Sequence, residues 1–207
     1  KVKERTAEIE KAYNSLKESE RGLAEAQKMA HIGNWDNDFV IGELHWSEEI
    51  YRIFGLNPQE GITYDKFLSY VHPDDRKSVD NAVEEVLNGK PHSIDYKIIS
   101  ADGEERIVHS EREVIFDEKK SPIRLRGTIQ DITDRKKAEE KIRILADAVE
   151  SSNDAIATVS LDGTIISGNK MTEYIYGYSP EEMLGKNVSI LEPENLKGEI
   201  KKVIEKV

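Results

Sequence analysis

The five histidines, the acidic run after His72 and the complete absence of cysteine decide which chemistry this chain can support. His72-Pro73-Asp74-Asp75-Arg76 places one imidazole and two carboxylates within a few residues, the beginning of a metal site. A resident metal needs a third or fourth ligand, and the sequence does not identify one. Capping explains the same element: Asp74 or Pro73 begins a helix, with the carboxylates in its positive first turn. His31 lies near Lys28 in a helical stretch, but Ile32-Gly33 ends that helix, whereas a phosphoacceptor histidine needs one that continues. No serine has a Gly-x-Ser-x-Gly setting and no glycine-rich phosphate loop follows a strand. The carboxylates are spread along solvated helices, where surface charge is the default. Without cysteine there is no disulfide, thiolate metal site, thiol nucleophile, cysteinyl-flavin adduct or thioester-linked chromophore. The reading is a segment with no catalytic residue and no metal ligand.

A stretch that carries no reaction is more informative. Leu125-Arg126-Gly127-Thr128-Ile129-Gln130-Asp131-Ile132-Thr133-Asp134-Arg135 changes from an alternating strand pattern to a charged helical one within a few residues. Apolar residues fall in period two up to Asp131, and then at Ala138, Ile142, Leu145 and Val149 in steps of four and three. Asp131 and Thr133 can bond local backbone donors or cap the helix that starts near Asp134, with capping alone as the alternative to capping plus transmission. A strand that passes directly into an exposed helix can carry a conformational change out of a domain. Gly127, Asp131, Ile132 and Thr133 are therefore the candidate residues for signal transmission. The helix has too few apolar residues to stand alone, and its stripe suits a dimer seam.

The elements that position this junction follow in chain order. Residues 1–30 place Val2, Ile9, Leu16, Leu23 and Ala30 at seven-residue spacing, with Ala12 and Ala26 at intervening positions and Arg5 and Ser19 interrupting the seam. This predicts a thin two-stranded coiled coil, with a single amphipathic helix lying on its own domain as the alternative. From Gly33 the pattern becomes a hairpin that turns at Ile41-Gly42-Glu43. Ser47-Glu48-Glu49 starts a helix ended by Gly55, and Asn57-Pro58-Gln59-Glu60 repeats the start signal ahead of Tyr64, Phe67, Leu68 and Val71. Val79, Val83, Val86 and Leu87 mark one more helix, ended by Asn88-Gly89. Strands are predicted over 93–100, 106–116 and 123–132, with a tight turn at Asp102-Gly103. Residues 31–134 thus form one α+β domain between a helical linker over 1–30 and another over 135–150.

The domain then starts again. A shift of 122 residues places Arg21-Gly22-Leu23-Ala24-Glu25-Ala26 on Arg143-Ile144-Leu145-Ala146-Asp147-Ala148, and Phe54-Gly55-Leu56-Asn57-Pro58 on Tyr176-Gly177-Tyr178-Ser179-Pro180. Both copies share a feeding helix, a hairpin, a helix and a Pro-initiated second helix. Residues 151–207 read as the N-terminal part of the second copy, without counterparts of the three later strands. Unpaired strand edges and half a core predict that residues 155–207 are loosely ordered or completed by another chain.

Composition narrows the partners. Only 37% of the residues are hydrophobic, which fits two small units better than one large core. Forty-one acidic against 30 basic side chains give a net charge of -11, which repels nucleic acid and anionic membrane surfaces. No apolar run approaches a bilayer span and no leader pattern opens the chain, so no direct membrane contact is expected. Lys1 opens within a helical pattern, which suggests an internal piece of a larger protein.

Gly33-Asn34-Trp35, His72-Pro73-Asp74-Asp75-Arg76, Asp102-Gly103-Glu104 and above all Gly127 to Arg135 resemble the PAS domain family, sensory modules that occur in tandem in histidine kinases and cyclic-dinucleotide enzymes. The last of these resembles the family's C-terminal strand and its Asp-Ile-Thr exit motif, the PAC element. The resemblance implies a five-stranded antiparallel sheet of order 2-1-5-4-3 with helices over one face, ligands between sheet and helices, and signals passed by flanking helices through dimers. Haem is disfavoured, because the family's haem-binding members place the axial ligand on the third helix, which has no histidine between Val79 and Asn88. His92 and His109 lie instead at or in strands. Non-covalent flavin stays open, although Trp35 and Trp46 read more simply as core or hairpin residues. The cofactor is unknown, and the pocket candidates are Ile94, Tyr96, Ile98 and Val108.

The reading that results is a non-catalytic, cytoplasmic sensory and dimerisation segment of a larger signalling protein such as a sensor histidine kinase, acting as a homodimer through its linker helices. A ligand-free interaction scaffold with a filled core and a small α+β enzyme using the same cleft are the rival readings. A retained small molecule argues against the scaffold, and convergent ionisable groups in the pocket favour the enzyme.

Overall fold

The computed structural model describes residues 2–90, 92–193 and 198. Between Lys136 and Lys137 the chain divides into two compact units. The first opens with α1 (Val2–Ala30), followed by β1 (Ile32–Asp38), β2 (Glu43–Trp46), α2 (Glu48–Phe54), α3 (Tyr64–Tyr70), α4 (Arg76–Leu87), β3 (His92–Ile99), β4 (Glu105–Phe116) and β5 (Pro122–Asp131). These strands form one antiparallel sheet in the order β2-β1-β5-β4-β3. The helix α5 (Thr133–Glu150) starts two residues after β5 ends.

Local signals explain the helix boundaries. Gly55 closes α2 in the left-handed region at φ 66°, where a side chain would be strained. The start signal at Asn57-Pro58 yields only a single 3-10 turn, Pro58–Glu60, in which Asn57 accepts from the Gln59 N–H. Gly61 then turns at φ 63°, and Thr63 starts α3 separately by accepting from the Lys66 N–H. One expected helix is therefore two elements, because Gly61 breaks the path and a second cap follows it.

The core lies between α2, α3 and α4 and one face of the sheet. Trp46, Ile50, Phe54, Phe67, Val71, Val79, Tyr96, Ile98, Val108 and Ile129 form one buried cluster. Trp46 is its hub, with ring centroids 4.9 Å from Phe54 and 5.4 Å from Tyr51. Strand register decides which residues face this core: Trp35 pairs with Gly127, which pairs in turn with Arg112. A Cβ at Gly127 would lie 2.0 Å from the Glu111 carbonyl oxygen and 3.0 Å from Trp35 Cζ2. The missing side chain is what lets β1, β4 and β5 close around the Trp35 ring.

The opposite face of the sheet is charged. Arg124 reaches Asp38 at 2.7 Å and Asp36 at 3.4 Å, Arg126 pairs with Glu113, and Lys97 with Glu105. Along α1, Ile9, Leu16 and Leu23 are exposed. The helix touches the sheet near its end, where the Gln27 side-chain amide donates to Asn34 at 2.6 Å and Gln130 donates to the Ala30 carbonyl at 3.2 Å.

In the second unit, α5 is followed by β6 (Ala157–Val159), β7 (Ile165–Gly168), α6 (Lys170–Tyr176), α7 (Pro180–Met183) and a 3-10 turn at Val188–Leu191. The two strands form an antiparallel hairpin turned at Gly163, φ 83°. A small core holds Ile165, Met183, Val188 and Leu191. The repeat is reproduced bond for bond. In the first copy Asn34 N–H donates to Ser47 Oγ and Ser47 N–H to the Asn34 carbonyl; in the second, Ile156 N–H donates to Asn169 Oδ1 and Asn169 N–H to the Ile156 carbonyl, all at 2.9–3.0 Å. The part of the expectation for 155–207 that falls on 194–197 and 199–207 lies outside the described residues.

Candidate functional site

Two features of the first unit are built for more than packing. The first is a cavity of about 50 Å³ between sheet and helices. Its walls are Trp35 and Asn37 from β1, Leu44 and Trp46 from β2, Tyr64 and Phe67 from α3, Val83 from α4, Tyr96 from β3, Ser110 and Arg112 from β4, and Leu125 and Ile129 from β5. Against the roughly 10–15 Å³ that one enclosed water needs on the same measure, this space admits only a few non-hydrogen atoms.

Its polar groups are unusual for a core. Arg112 is 5% exposed, yet among the described residues no carboxylate oxygen lies within 4 Å of its guanidinium. The contacts it has are neutral and long: Nε donates to Ser110 Oγ at 3.3 Å, and one Nη donates to the Val79 carbonyl at 3.4 Å. The guanidinium also lies 5.8 Å from the centroid of the Tyr96 ring. A buried charge left without a partner costs several kcal/mol, in the range of about 3–5. Trp35 Nε1 is likewise buried without a hydrogen-bond partner in the protein, and the buried Tyr96 hydroxyl has only Arg112 and Ser110 beside it. Burial pushes the Tyr96 hydroxyl above its ordinary pKa of 10, against the opposing pull of Arg112. The Tyr64 hydroxyl is raised too, first by burial and then by the Asp80 carboxylate to which it donates at 2.7 Å. Both phenols are neutral donors at physiological pH, so neither serves Arg112 as counter-ion.

The second feature is the exit junction. Asp131 Oδ1 accepts from the Thr133 N–H at 2.9 Å and from its hydroxyl at 2.5 Å. Thr133 Oγ1 accepts from the Ile107 N–H at 2.9 Å, and the Ile132 N–H donates to the Ile107 carbonyl at 2.9 Å. The first residue of α5 thereby continues the β4–β5 ladder. Asp131 N–H also donates to the His31 carbonyl at 3.0 Å, tying the junction to the residue at which α1 ends. His31 takes φ 52°, which ends that helix. A further link leads into α5: Lys136 Nζ sits 2.9 Å from Asp95, which His109 Nδ1 approaches at 2.6 Å. Burial raises the Asp95 pKa, but the Lys136 and His109 hydrogen bonds outweigh it and hold the carboxyl below its ordinary range.

Of the pocket candidates, Tyr96 lines the cavity. Ile98 and Val108 are fully buried in the cluster beside it, and Ile94 packs half-buried against that cluster; none of these three forms the cavity wall. Of the transmission candidates, Ile132 is buried, Asp131 and Thr133 make the junction bonds, and Gly127 is set by its close approach to Trp35 and Glu111. His72 Nδ1 accepts from the Asp74 N–H at 3.3 Å and caps the 3-10 turn Pro73–Asp75. Asp75 accepts instead from the Lys97 N–H of β3 at 2.8 Å, fixing the start of α4 to the sheet. Among the described residues, no three His, Asp or Glu side chains gather as metal ligands. Arg112 and Ser110 escaped the sequence reading although a signal existed: they alternate with Val108 on one strand face, which puts a charge in a core position.

Comparison with known proteins agrees with this geometry. Models of the PAS fold match residues 43–129 and residues 144–206, one on each copy of the repeat. A blue-light-activated histidine kinase of Brucella abortus is 34% identical over 139 residues, which cover 65% of this chain and 28% of that protein. The sensor protein FixL of Bradyrhizobium diazoefficiens is 28% identical over 168 residues, covering 79% of this chain and 33% of that one. The chain thus spans about a third or less of the curated relatives it matches. A sensory box histidine kinase/response regulator from Burkholderia thailandensis has a similar structure, with a TM-score of 0.50 and 28% identity over 59% of this chain and 92% of that one. With the strand order β2-β1-β5-β4-β3 and two matches in tandem on the two copies, the chain belongs to the PAS family.

Proposed function

We propose that this chain is a non-catalytic sensory segment of a larger, cytoplasmic signalling protein, most simply a sensor histidine kinase, and that it acts as a homodimer. Its parts are a helical linker over 1–30, a complete sensory domain over 31–134, a second linker over 135–150 and the start of a second domain over 151–207. The observation that carries the reading is the junction, where Thr133 belongs to the sheet through Ile107 and to the helix through its backbone. Displacing β4 or β5 from within therefore displaces the first turn of α5. Occupation of the cavity favours one packing of the sheet, and the linker helices respond by population shift.

Support for the dimer comes from the two linkers. Ile9, Leu16 and Leu23 on α1, and Ile142, Leu145 and Val149 on α5, are exposed at heptad-like spacing. A second copy of the chain would cover both stripes. No helix among the described residues is long and apolar enough to cross a membrane. Kinase relatives and the absence of a catalytic arrangement in the sequence favour a sensory over an enzymatic role.

Asp131→Ala in the full-length protein tests the reading. It removes the acceptor for the Thr133 N–H and hydroxyl while the core of the first unit is untouched. Regulated output should be lost with the first unit still folded by circular dichroism and amide exchange. Output regulated as in the wild type would overturn the assignment.

A further inference from the structure

The cavity of the first unit holds a positive charge without an opposite one. We propose that it binds a short-chain monocarboxylate, with the carboxylate against the Arg112 guanidinium and the alkyl part among Trp46, Phe67, Leu125 and Ile129. The inference rests on the sensory reading and names the chemistry of what that domain would sense.

Three observations converge on it. Arg112 is almost fully buried, stays charged in any protein environment, and has no carboxylate within 4 Å among the described residues. The carboxylate of Asp80, next in sequence to the Val79 whose carbonyl Arg112 reaches, is engaged by the Tyr64 hydroxyl at 2.7 Å. Trp35 Nε1, which only donates, is buried on the same cavity without a partner, and the Tyr96 hydroxyl lies there beside Arg112 and Ser110. A ligand rich in acceptors and negatively charged satisfies all three groups at once.

Size and lining narrow the anion. About 50 Å³ admits an acid of two or three carbons and excludes a dinucleotide or a macrocycle without rearrangement. Trp46, Phe67, Leu125 and Ile129 offer apolar surface to an alkyl group and nothing to a tetrahedral oxyanion, which would need donors on every side. A planar carboxylate also matches the flat edge of a guanidinium, two oxygens to two N–H groups. Ser110 Oγ, already next to Arg112 Nε at 3.3 Å, holds the guanidinium in place for this contact.

Titration calorimetry on the 207-residue chain, with propionate, propionamide and inorganic phosphate at matched ionic strength, tests the proposal. Propionate should bind saturably at one site per chain, and the amide and phosphate at least roughly tenfold more weakly. Arg112→Gln should weaken propionate roughly 10- to 100-fold, and Tyr96→Phe, which deletes only a hydroxyl and keeps the ring, a few-fold. If Arg112→Gln does not fold, Tyr96→Phe together with the propionate-to-propionamide ratio still decides. Equal binding of propionate and propionamide, or phosphate binding tighter than propionate, overturns the carboxylate, and saturable binding of the amide then leaves the sensory reading intact. If none of the three probes binds, the carboxylate proposal fails. Filling the cavity with Val83→Phe in the full-length protein then decides the sensory reading, which also falls if regulation is unchanged.

Discussion

Phe54 and Tyr176 occupy the same place in the two copies of the repeat, each immediately before a left-handed glycine that ends its helix. Phe54 is completely buried, whereas Tyr176 is 41% exposed, and Ile53 against Ile175 shows the same split, 3% against 55%. The helices are built by the same local rules. What differs is the surface opposite them: α2 faces the five-stranded sheet, while the described part of the second unit offers only β6 and β7. Helix formation in this repeat is thus a local property, whereas burial of its apolar face depends on tertiary partners, which for Phe54 are Trp46 of β2 and Phe67 and Tyr70 of α3.

The most severe test of this contrast is a pair of alanine substitutions. Phe54→Ala should destabilise the first unit by about 3–5 kcal/mol, whereas Tyr176→Ala should cost the second unit about 1 kcal/mol or less. Residue-resolved amide exchange in one sample reads both units separately, and equal losses would break the comparison.

The hairpin-to-helix corner reverses the order of the copies. Asn169 is 2% exposed; its Oδ1 accepts from Ile156 N–H, Thr172 N–H and the Thr172 hydroxyl, and its Nδ2 donates to the Val149 and Asp154 carbonyls. Ser47 makes one side-chain bond, to the Asn34 N–H. Asn169→Ala should therefore destabilise the second unit by roughly 2–4 kcal/mol, and Ser47→Ala the first by about 1 kcal/mol. Asn169→Ser, which can restore only the bond to Ile156, should fall between them. The second copy holds this corner with a polar knot where the first uses a single side-chain bond, and a silent Asn169→Ala would contradict that.

Acid gives the mildest distinction. In the first unit Asp38 is held below its ordinary pKa of 3.8 by the Arg124 hydrogen bond and the Ile41 and Val40 N–H groups. Asp102 is lowered by the Ser100 hydroxyl and the Glu104 N–H, and Asp95 by Lys136 and His109 in spite of its burial. Among its described residues the second unit has one such group, Asp162, lowered by the Ser160 hydroxyl and the Thr164 N–H. A carboxyl with a depressed folded pKa stabilises above its unfolded value and loses that contribution as the pH falls through the folded one. Between about pH 4 and pH 2, therefore, the first unit should lose more stability than the second. Urea midpoints followed by NMR for each unit would show the difference.

Much of this was legible in the sequence because it is encoded over short distances. The seven-residue spacing of Ile9, Leu16 and Leu23, the capping signal at Asn57, and the change of period at Asp131 each depend on neighbours within a turn or two, whereas the Ser47 hydroxyl expected to cap α2 accepts from the Asn34 N–H of β1 instead. The repeat required only self-comparison, and the bonds at Ser47 and Asn169 reproduce it. Gly61 was harder to read, because a glycine is compatible both with a helix and with the break that it makes. The cavity was less legible still. Period two places Arg112 on the face of Val108, but whether a carboxylate meets it depends on α3 and α4, far away in sequence.

The sequence by itself determined most of the elements, their order, the two copies and the junction that joins strand to helix, since propensity, capping and periodicity act between near neighbours. Only the tertiary structure decided that Thr133 bonds to Ile107, that Gly127 makes room for Trp35, and that Arg112 is enclosed without a counter-charge. Those outcomes depend on strand register and on what packs across the sheet, and contacts between residues 20 to 100 positions apart leave no periodic trace in one chain.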